Sequence, residues 1–378
     1  MKKFFLGVAA NYTREELVRH TFGVGREDDI KALEKYLTNR YDGKAILCKN
    51  GRSALALVLK SYFNAGDIVM INGFTCYAVY EAVKAAELTP LFVDIEKDNL
   101  NFSINTLNDS LSRCKKEDLP RIKGIVVQNT LGNPVDITKI EKFAKAHNLT
   151  IVEDLAHCAG VRYADGREAG TIGAGTICSF GKDKSIDTIS GGAAVLRAPC
   201  LHKVDLPTKK PRFIDTLRSR LYPLFGLMYR GLAYIGLNGV FMRCLLVLRL
   251  VEKSADNRLD LRRKPNRIQA KLALRQFKHL KKTGELPIRE FYLVRDRDYV
   301  LEQLAESGYY FGGVWYERPV SPERYYKKVH FPEQACPNAV YVAKHIVNLP
   351  NYYSKLELRE AKKIIDNNIE EDMDGEKA

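Results

Sequence analysis

The sequence predicts an α/β protein built on a doubly wound, mostly parallel sheet, with a smaller α+β unit toward the C-terminus. Three observations carry the prediction. From residue 44 onward, β-rich apolar runs alternate with helical patterns. The helical stretches have the roughly 10–15 residue length of crossover helices, and the runs between them lack a polar face, as strands covered on both sides do. A chain of 378 residues exceeds what one core usually holds, and its 46% apolar content is that of a globular protein.

Taken in order, the strand "KAILCKNG" (44–51) precedes the helical "SALALVLKSYF" (53–63), "DIVMING" (67–73) precedes "YAVYEAVKAAE" (77–87), and "TPLFVDI" (89–95) precedes "INTLNDSLSRC" (104–114). "IKGIVVQNT" (122–130) then precedes "ITKIEKFAKAHN" (137–148), followed by "LTIVEDL" (149–155). The stretch "CSFGKDKSIDTISGGAAVL" (178–196) reads as strand "TICSF", a tight connection, and strand "GGAAVL". Organisation into a large unit over 1–199, a basic apolar helical insert over 200–262, and a connecting helix with a small domain over 263–378 follows from the changes in composition. The tail "EEDMDGEKA" (370–378) is expected to fray.

The formal charge of +14 fits nucleic acid, an anionic membrane or an anionic small molecule equally, since positive potential concentrates all three. No nucleic-acid-reading motif accompanies it, so nucleic acid is not expected as a partner. Eight cysteines without C-x-x-C pairs or His-rich spacing predict reduced thiols, a cytoplasmic protein and no metal site. The opening "MKKFFLGVAANY" has an apolar run at the lower limit for a secretory signal, and cleavage is not expected.

Ligands of such sheets bind beyond the carboxyl ends of the strands. The residues there are Asn50 to Ser53, Phe74 to Tyr77, Asn129, and Asp154 to His157. None of these loops carries a glycine-rich dinucleotide fingerprint, and "GVG" at 23–25 follows no strand, which argues against a nicotinamide cofactor. Lys182 and Lys184 follow "TICSF". A lysine there, facing Asp154, suggests pyridoxal phosphate held as a Schiff base, the aspartate keeping the pyridine nitrogen protonated. Composition alone leaves two surface lysines as the competing reading.

"NGRSALALVLK", "GDIVMINGFTCYAVYEAVKAAELTPLFVDIE", "IKGIVVQNTLGNPVDITKIEKFAKAHNLTIVEDLAHCAG" and "GTIGAGTICSFGKDKSIDTISGGAAVL" occur in an order and spacing that resembles the DegT/StrS-type sugar-nucleotide aminotransferases, which are fold-type-I pyridoxal-phosphate enzymes. The resemblance covers about 26–197 and returns over about 266–366, through "QAKLALRQFKHL" and "AKHIVNLPNYYS".

The family's S-F-x-x-x-K pattern implies that Lys184, not Lys182, forms the internal aldimine and moves the proton; Lys182 keeps the surface reading. The resemblance also implies that Asp154 partners the pyridine nitrogen and that His157 lies against the cofactor. Gly51, Arg52 and Ser53 at a helix start would meet the phosphate together with Ser179. Arg52 also has a plain surface reading. Cys76 stands where the family stacks an aromatic ring, leaving Tyr77 or Phe74 to cover the cofactor. Asn129 completes the implied cofactor set.

Two departures weaken the usual substrate assignment. Ile189 and Ser190 precede Gly191 and Gly192 where the family has G-E-G-G, and "RRKPNR" offers only Asn266, out of register, for a partner-subunit phosphate contact. The implied reaction moves an amino group, from glutamate in most of the family, to an anionic keto-sugar nucleotide, in a homodimer serving polysaccharide biosynthesis. A dehydratase of the same family is one alternative, countered by Lys184 where such enzymes carry histidine. A non-catalytic regulatory or membrane-associated member is the other. The insert is read either as a helical pair covering the pocket or dimer interface, or as a basic amphipathic element contacting membrane over 205–255.

Overall fold

The computed structural model describes residues 4–6, 12–197, 199–252, 258–283, 288–311 and 315–369; the expectation for 370–378 falls outside them. The chain runs through β1 (Phe4–Leu6), α1 (Arg14–Phe22), α2 (Glu27–Tyr41), β2 (Lys44–Cys48), α3 (Gly51–Tyr62), β3 (Ile68–Asn72), β4 (Thr75–Cys76) and α4 (Tyr77–Ala85). It continues with β5 (Thr89–Val93), α5 (Ile104–Arg113), β6 (Ile122–Val127), α6 (Ile137–Ala146), β7 (Thr150–Asp154), β8 (Gly175–Ser179) and β9 (Gly192–Leu196).

Seven of these strands form one sheet in the order β2-β9-β8-β7-β6-β3-β5. The pairs β8–β7, β7–β6, β6–β3 and β3–β5 are parallel, while β9 runs antiparallel to both of its neighbours. Alternate residues of each strand feed opposite faces, as the two-residue period of a strand requires. In β3, Val69 and Ile71 join the core beneath α3 and α4, whereas Ile68 and Met70 join the core beneath α2, α5 and α6. Every residue of β3 is buried, which explains why the sequence showed continuous apolar runs instead of alternation.

The link between β8 and β9 is not the tight connection expected. Ser179 pairs with Gly192, so residues 180–191 form a long loop. Asp187 and Gln276 anchor it: Asp187 N–H donates to Gln276 Oε1 at 2.8 Å, and Gln276 Nε2 donates to the Asp187 carbonyl at 2.7 Å.

The insert forms α7 (Phe213–Ala233) and α8 (Asn238–Val247), followed by α9 (Arg267–Thr283). The last region comprises β10 (Arg289–Leu293), α10 (Arg297–Glu306), β11 (Tyr309–Phe311), β12 (Val320–Ser321), α11 (Glu323–Val329), α12 (Pro337–His345), β13 (Ile346–Pro350) and α13 (Arg359–Asp366). Its core gathers Val294, Val300, Leu304, Val347, Leu349 and Ile365 around Leu6. Strand β1 pairs with β11 in parallel, so residues 4–6 belong to this C-terminal layer and not to the 1–199 unit in which they were expected.

Candidate active site

Lys184, Asp154 and His157 meet at the carboxyl ends of β7 and β8, the neighbouring parallel strands. Asp154 closes β7, and His157 follows three residues later on the turn that leaves it. Lys184 comes off the long loop after β8, and its Nζ lies 2.8 Å from His157 Nε2. The Leu131 N–H donates to His157 Nδ1 at 3.2 Å. That bond makes Nδ1 the acceptor, so a neutral His157 carries its proton on Nε2 and presents it to the lysine.

An N–H facing an amine requires the amine's lone pair, which only neutral lysine has. Burial, together with the Arg289 cation, lowers the Lys184 amine from its ordinary value despite the opposing pull of Cys76, Asp154 and Asp183. Burial, then Lys184 and Arg289, hold His157 well below the usual histidine range. Both groups are therefore biased toward the neutral forms that the hydrogen bond needs.

Asp154 is buried, and burial raises its carboxyl against the opposing effects of the Ala156 N–H and Lys184. The Ala156 N–H donates to Asp154 Oδ1 at 2.9 Å. A carboxyl raised by desolvation is the group most stabilised by an incoming N–H cation, which is what a protonated pyridine ring offers.

The helix start at α3 shows the close approach expected of a phosphate cradle. Asn50 caps it, Oδ1 accepting from the Ser53 N–H at 2.8 Å. A Cβ on Gly51 would stand 2.6 Å from Ser179 Cβ, and one on Gly192 would stand 2.6 Å from Gly51 N. Only glycine at both positions lets β8, β9 and the helix start close to this distance, bringing the Ser179 hydroxyl to the positive end of the helix dipole.

Several expected contacts fall elsewhere. The Arg52 guanidinium pairs with Glu81 on α4; an arginine at the first turn reaches back along the helix surface, away from the backbone amides. The Ser53 hydroxyl accepts from the Asp260 N–H at 3.0 Å, and its own amide serves the cap, so its role is structural. Asn129 is fully buried and spent on the turn after β6: its amide donates to Tyr163 Oη at 3.0 Å, and Oδ1 accepts from the Val135 N–H at 3.0 Å. It positions the Leu131 amide that orients His157, and does not itself reach the site.

Tyr77 stacks on Tyr325 with centroids 4.3 Å apart and so is held on α11. Phe74 packs against Tyr316 at 4.9 Å. Cys76 remains close enough to act on the Lys184 amine. Asn266 caps α9, where Oδ1 accepts from the Ile268 N–H at 3.3 Å.

Lys182 is half-buried, not a freely solvated side chain. Its Nζ donates to the Glu252 carbonyl at 2.9 Å and sits 3.8 Å from the centroid of the Tyr222 ring. Burial lowers it to about 8. The insert thus fastens the lysine loop through the lysine that the sequence left in solvent.

The composition of the C-terminal region concealed three further site residues. Trp315, the only tryptophan in the chain, has its ring centroid 5.0 Å from Lys184 Nζ and 5.2 Å from that of His157. The Tyr316 hydroxyl lies 3.5 Å from His157 Nε2. Arg289 is 2% exposed, its guanidinium 4.5 Å from the Trp315 centroid, and Nη1 donates to Asn348 Oδ1 at 3.3 Å. A cavity of about 330 Å³ opens onto Lys184 between Asp183, Asp187, Arg289 and Tyr352. The aromatic run of 308–319 and the lone tryptophan were the available signals; nothing marked Arg289.

Asp187 holds the loop carboxylate cluster. It accepts from the Tyr12 hydroxyl at 3.0 Å and from the backbone N–H groups of Asp183 and Ile189. Burial, then the neighbouring Asp183, raises it from 3.8 to about 7. The folded chain therefore keeps this proton to higher pH than the unfolded one. Its contribution to stability is full below about pH 4 and is lost as pH rises through about 7. Thermal midpoints of wild type and Asp187→Asn, measured from pH 4 to 8, should shift steadily in favour of the variant as pH rises across that window, because only the wild type must ionise a buried carboxyl. A constant difference would contradict the assignment.

A seven-stranded, mostly parallel sheet with lysine, aspartate, glycine and serine at its carboxyl ends is a fold that this chain shares with solved aminotransferase structures. Solved structures agree on the fold: the aminotransferase from Psychrobacter cryohalolentis matches with a TM-score of 0.65 at 18% identity, over 96% of this chain and 98% of that one. A DegT DnrJ EryC1 StrS aminotransferase from Brucella abortus matches at 0.63 and 21%, over 93% and 92%. Residues 19–205, just under half of the chain, match the DegT/DnrJ/EryC1/StrS aminotransferase family. GDP-perosamine synthase of Escherichia coli is 30% identical over 178 residues, 46% of this chain. The match spans about half the length of that relative, 47%.

Proposed function

We propose that the chain is a pyridoxal-phosphate-dependent aminotransferase that passes an amino group from an amino-acid donor to a keto-sugar nucleotide. The observation that carries this reading is the Lys184 amine, biased to its neutral form and 2.8 Å from His157, beside a buried aspartate at the ends of adjacent parallel strands. The family domain and the name of the GDP-perosamine synthase relative support the reaction class.

Bound at this site, pyridoxal phosphate supplies an aldehyde for the amine and a ring that withdraws electrons from the donor's α-carbon. Ser179 and the amides at the start of α3 would hold its phosphate, and Asp154 its pyridine nitrogen. With the cofactor bound, Lys184 Nζ would be the group that holds and moves the proton at the donor's α-carbon. His157 keeps Lys184 in register, while Trp315 and Tyr316 cover the site and exclude water, taking the place of the aromatic that Cys76 replaces.

Arg289 supplies the anion receptor. Tyr352 interacts with its guanidinium, but among the described residues Nη2 is buried without a hydrogen-bond partner, and Arg289 lines the cavity that opens on Lys184. A buried guanidinium with an unfilled donor favours a carboxylate. Arg289→Met should lower kcat/KM for glutamate by about 100-fold, mainly through KM, and leave cofactor absorbance intact. An unchanged KM would remove Arg289 from donor binding.

The reading also includes a homodimer serving polysaccharide biosynthesis, which sedimentation of the purified protein and identification of its product address. The reaction itself is tested by adding glutamate to the cofactor-loaded protein. The absorbance near the visible edge should bleach with release of one 2-oxoglutarate per bound cofactor, and a keto-sugar nucleotide should restore it. No bleaching by any amino acid would favour a non-catalytic member.

A further inference from the structure

Helices α7 and α8 form a hairpin with two unlike sides. One side is fixed to the body of the protein. Tyr222, Leu245 and Val251 bury against Ile189 of the lysine loop. Arg220 donates to the carbonyls of Thr21 and Gly23 at 3.2 and 3.1 Å, and Arg218 to the carbonyl of Arg249 at 2.7 Å. The hairpin is therefore a rigid projection and not a loose strap.

The other side is apolar and exposed. On α8 and its C-cap, Val240, Cys244, Val247 and Leu248 follow an i, i+4, i+7, i+8 spacing, one stripe of a helix, and all four are exposed. The turn between the helices adds Tyr234, Ile235 and Leu237, and the last turns of α7 add Leu227 and Met228. Ile235 is 67% exposed, Leu248 65% and Val247 80%. Soluble proteins rarely leave so much contiguous apolar surface in water without a partner.

Charge identifies the partner. Between Asp215 and Glu252 the chain contains five arginines and neither an acidic residue nor a lysine. Arg220 is spent on the body and Arg218 on Glu252 and the Arg249 carbonyl within the insert, while Arg243 and Arg249 are exposed beside the apolar stripe. Two copies meeting symmetrically across this face would bring like charges together. An anionic lipid surface answers both properties, taking the apolar side chains into its acyl boundary and the guanidinium groups among its phosphates. No described helix is long and apolar enough to cross a membrane, so the contact lies in the interface.

We propose that the α7–α8 hairpin is an interfacial anchor that docks this protein on anionic membrane lipid. The contact goes beyond the transfer chemistry and does not depend on it. Because Tyr222 and the Glu252 carbonyl hold Lys182, the anchor is joined directly to the loop that carries Lys184.

Purified full-length protein should be sedimented with vesicles of phosphatidylglycerol and phosphatidylcholine in equal parts, and with phosphatidylcholine alone. The protein should pellet with the first and remain in solution with the second, and salt should release it, because the arginine contribution is screened. The triple variant Ile235→Glu/Leu237→Glu/Val240→Glu changes only exposed side chains and should weaken binding by about tenfold or more. Arg243→Glu, which leaves the apolar stripe intact, should weaken it less and remove most of the salt dependence. Three results would overturn the proposal: no pelleting with anionic vesicles, undiminished pelleting of the triple variant, or loss of dimers in the triple variant, which would make the hairpin a subunit interface.

Discussion

Lys184→Ala should abolish amino transfer, with a loss of about 10⁴-fold or more, while the protein remains folded and can still take up cofactor noncovalently. The side chain lies in a loop whose hold on the body comes from Asp187, Gln276 and Lys182, so its removal deletes an amine without deleting a support. Lys184→Arg should be as inactive, since a guanidinium stays protonated and offers no nucleophile. Lys182→Ala is the discriminating control. It should keep measurable turnover and lose thermal stability instead, because it removes a buried contact between loop and insert. Assays of single turnover with glutamate, paired with thermal melts, separate the two lysines.

Glu153→Ala should have the largest effect on stability. Glu153 is fully buried, and its carboxylate accepts from the N–H groups of Gly170, Ile172 and Gly173 at 2.7, 2.8 and 2.7 Å and from the Tyr163 hydroxyl at 3.0 Å. Alanine leaves four donors without a partner at a cost of about 1–3 kcal/mol each when buried. Part of that cost is recovered by relaxation and entry of water, so a loss of about 4 kcal/mol is expected in urea unfolding. Gly170 to Gly173 lead into β8, which carries Ser179. The variant should therefore also hold the cofactor more weakly, whereas an effect under about 1 kcal/mol would mean that the loop is supported elsewhere.

The parts legible in the sequence are those set by neighbours along the chain. The central strands of the large sheet were marked by runs such as "IVMIN" and "GIVV", because burial on both faces removes polar residues from the run. Asp154 and Lys184 could be brought together because they follow adjacent parallel strands, a relation that the strand order of such sheets favours. The residues that remained hidden depend on distant packing. Lys182 carries a charge that suggests solvent, and only the arrival of Tyr222 and the Glu252 carbonyl from the insert buries it. Asn129 and Tyr77 sit at the correct strand ends, but their side chains are drawn to Tyr163 and Tyr325, partners that no local pattern reveals. Arg289 and Trp315 come from more than 100 residues beyond Lys184 and reach it only through the docking of the C-terminal layer.

The central claim is that Lys184 is the amine that holds the cofactor. Borohydride reduction of the pyridoxal-phosphate-loaded protein, followed by peptide mass mapping, tests it most directly. A pyridoxyl group on Lys184 is the predicted result; modification of Lys182 instead, or of no lysine in the 178–196 stretch, would contradict it.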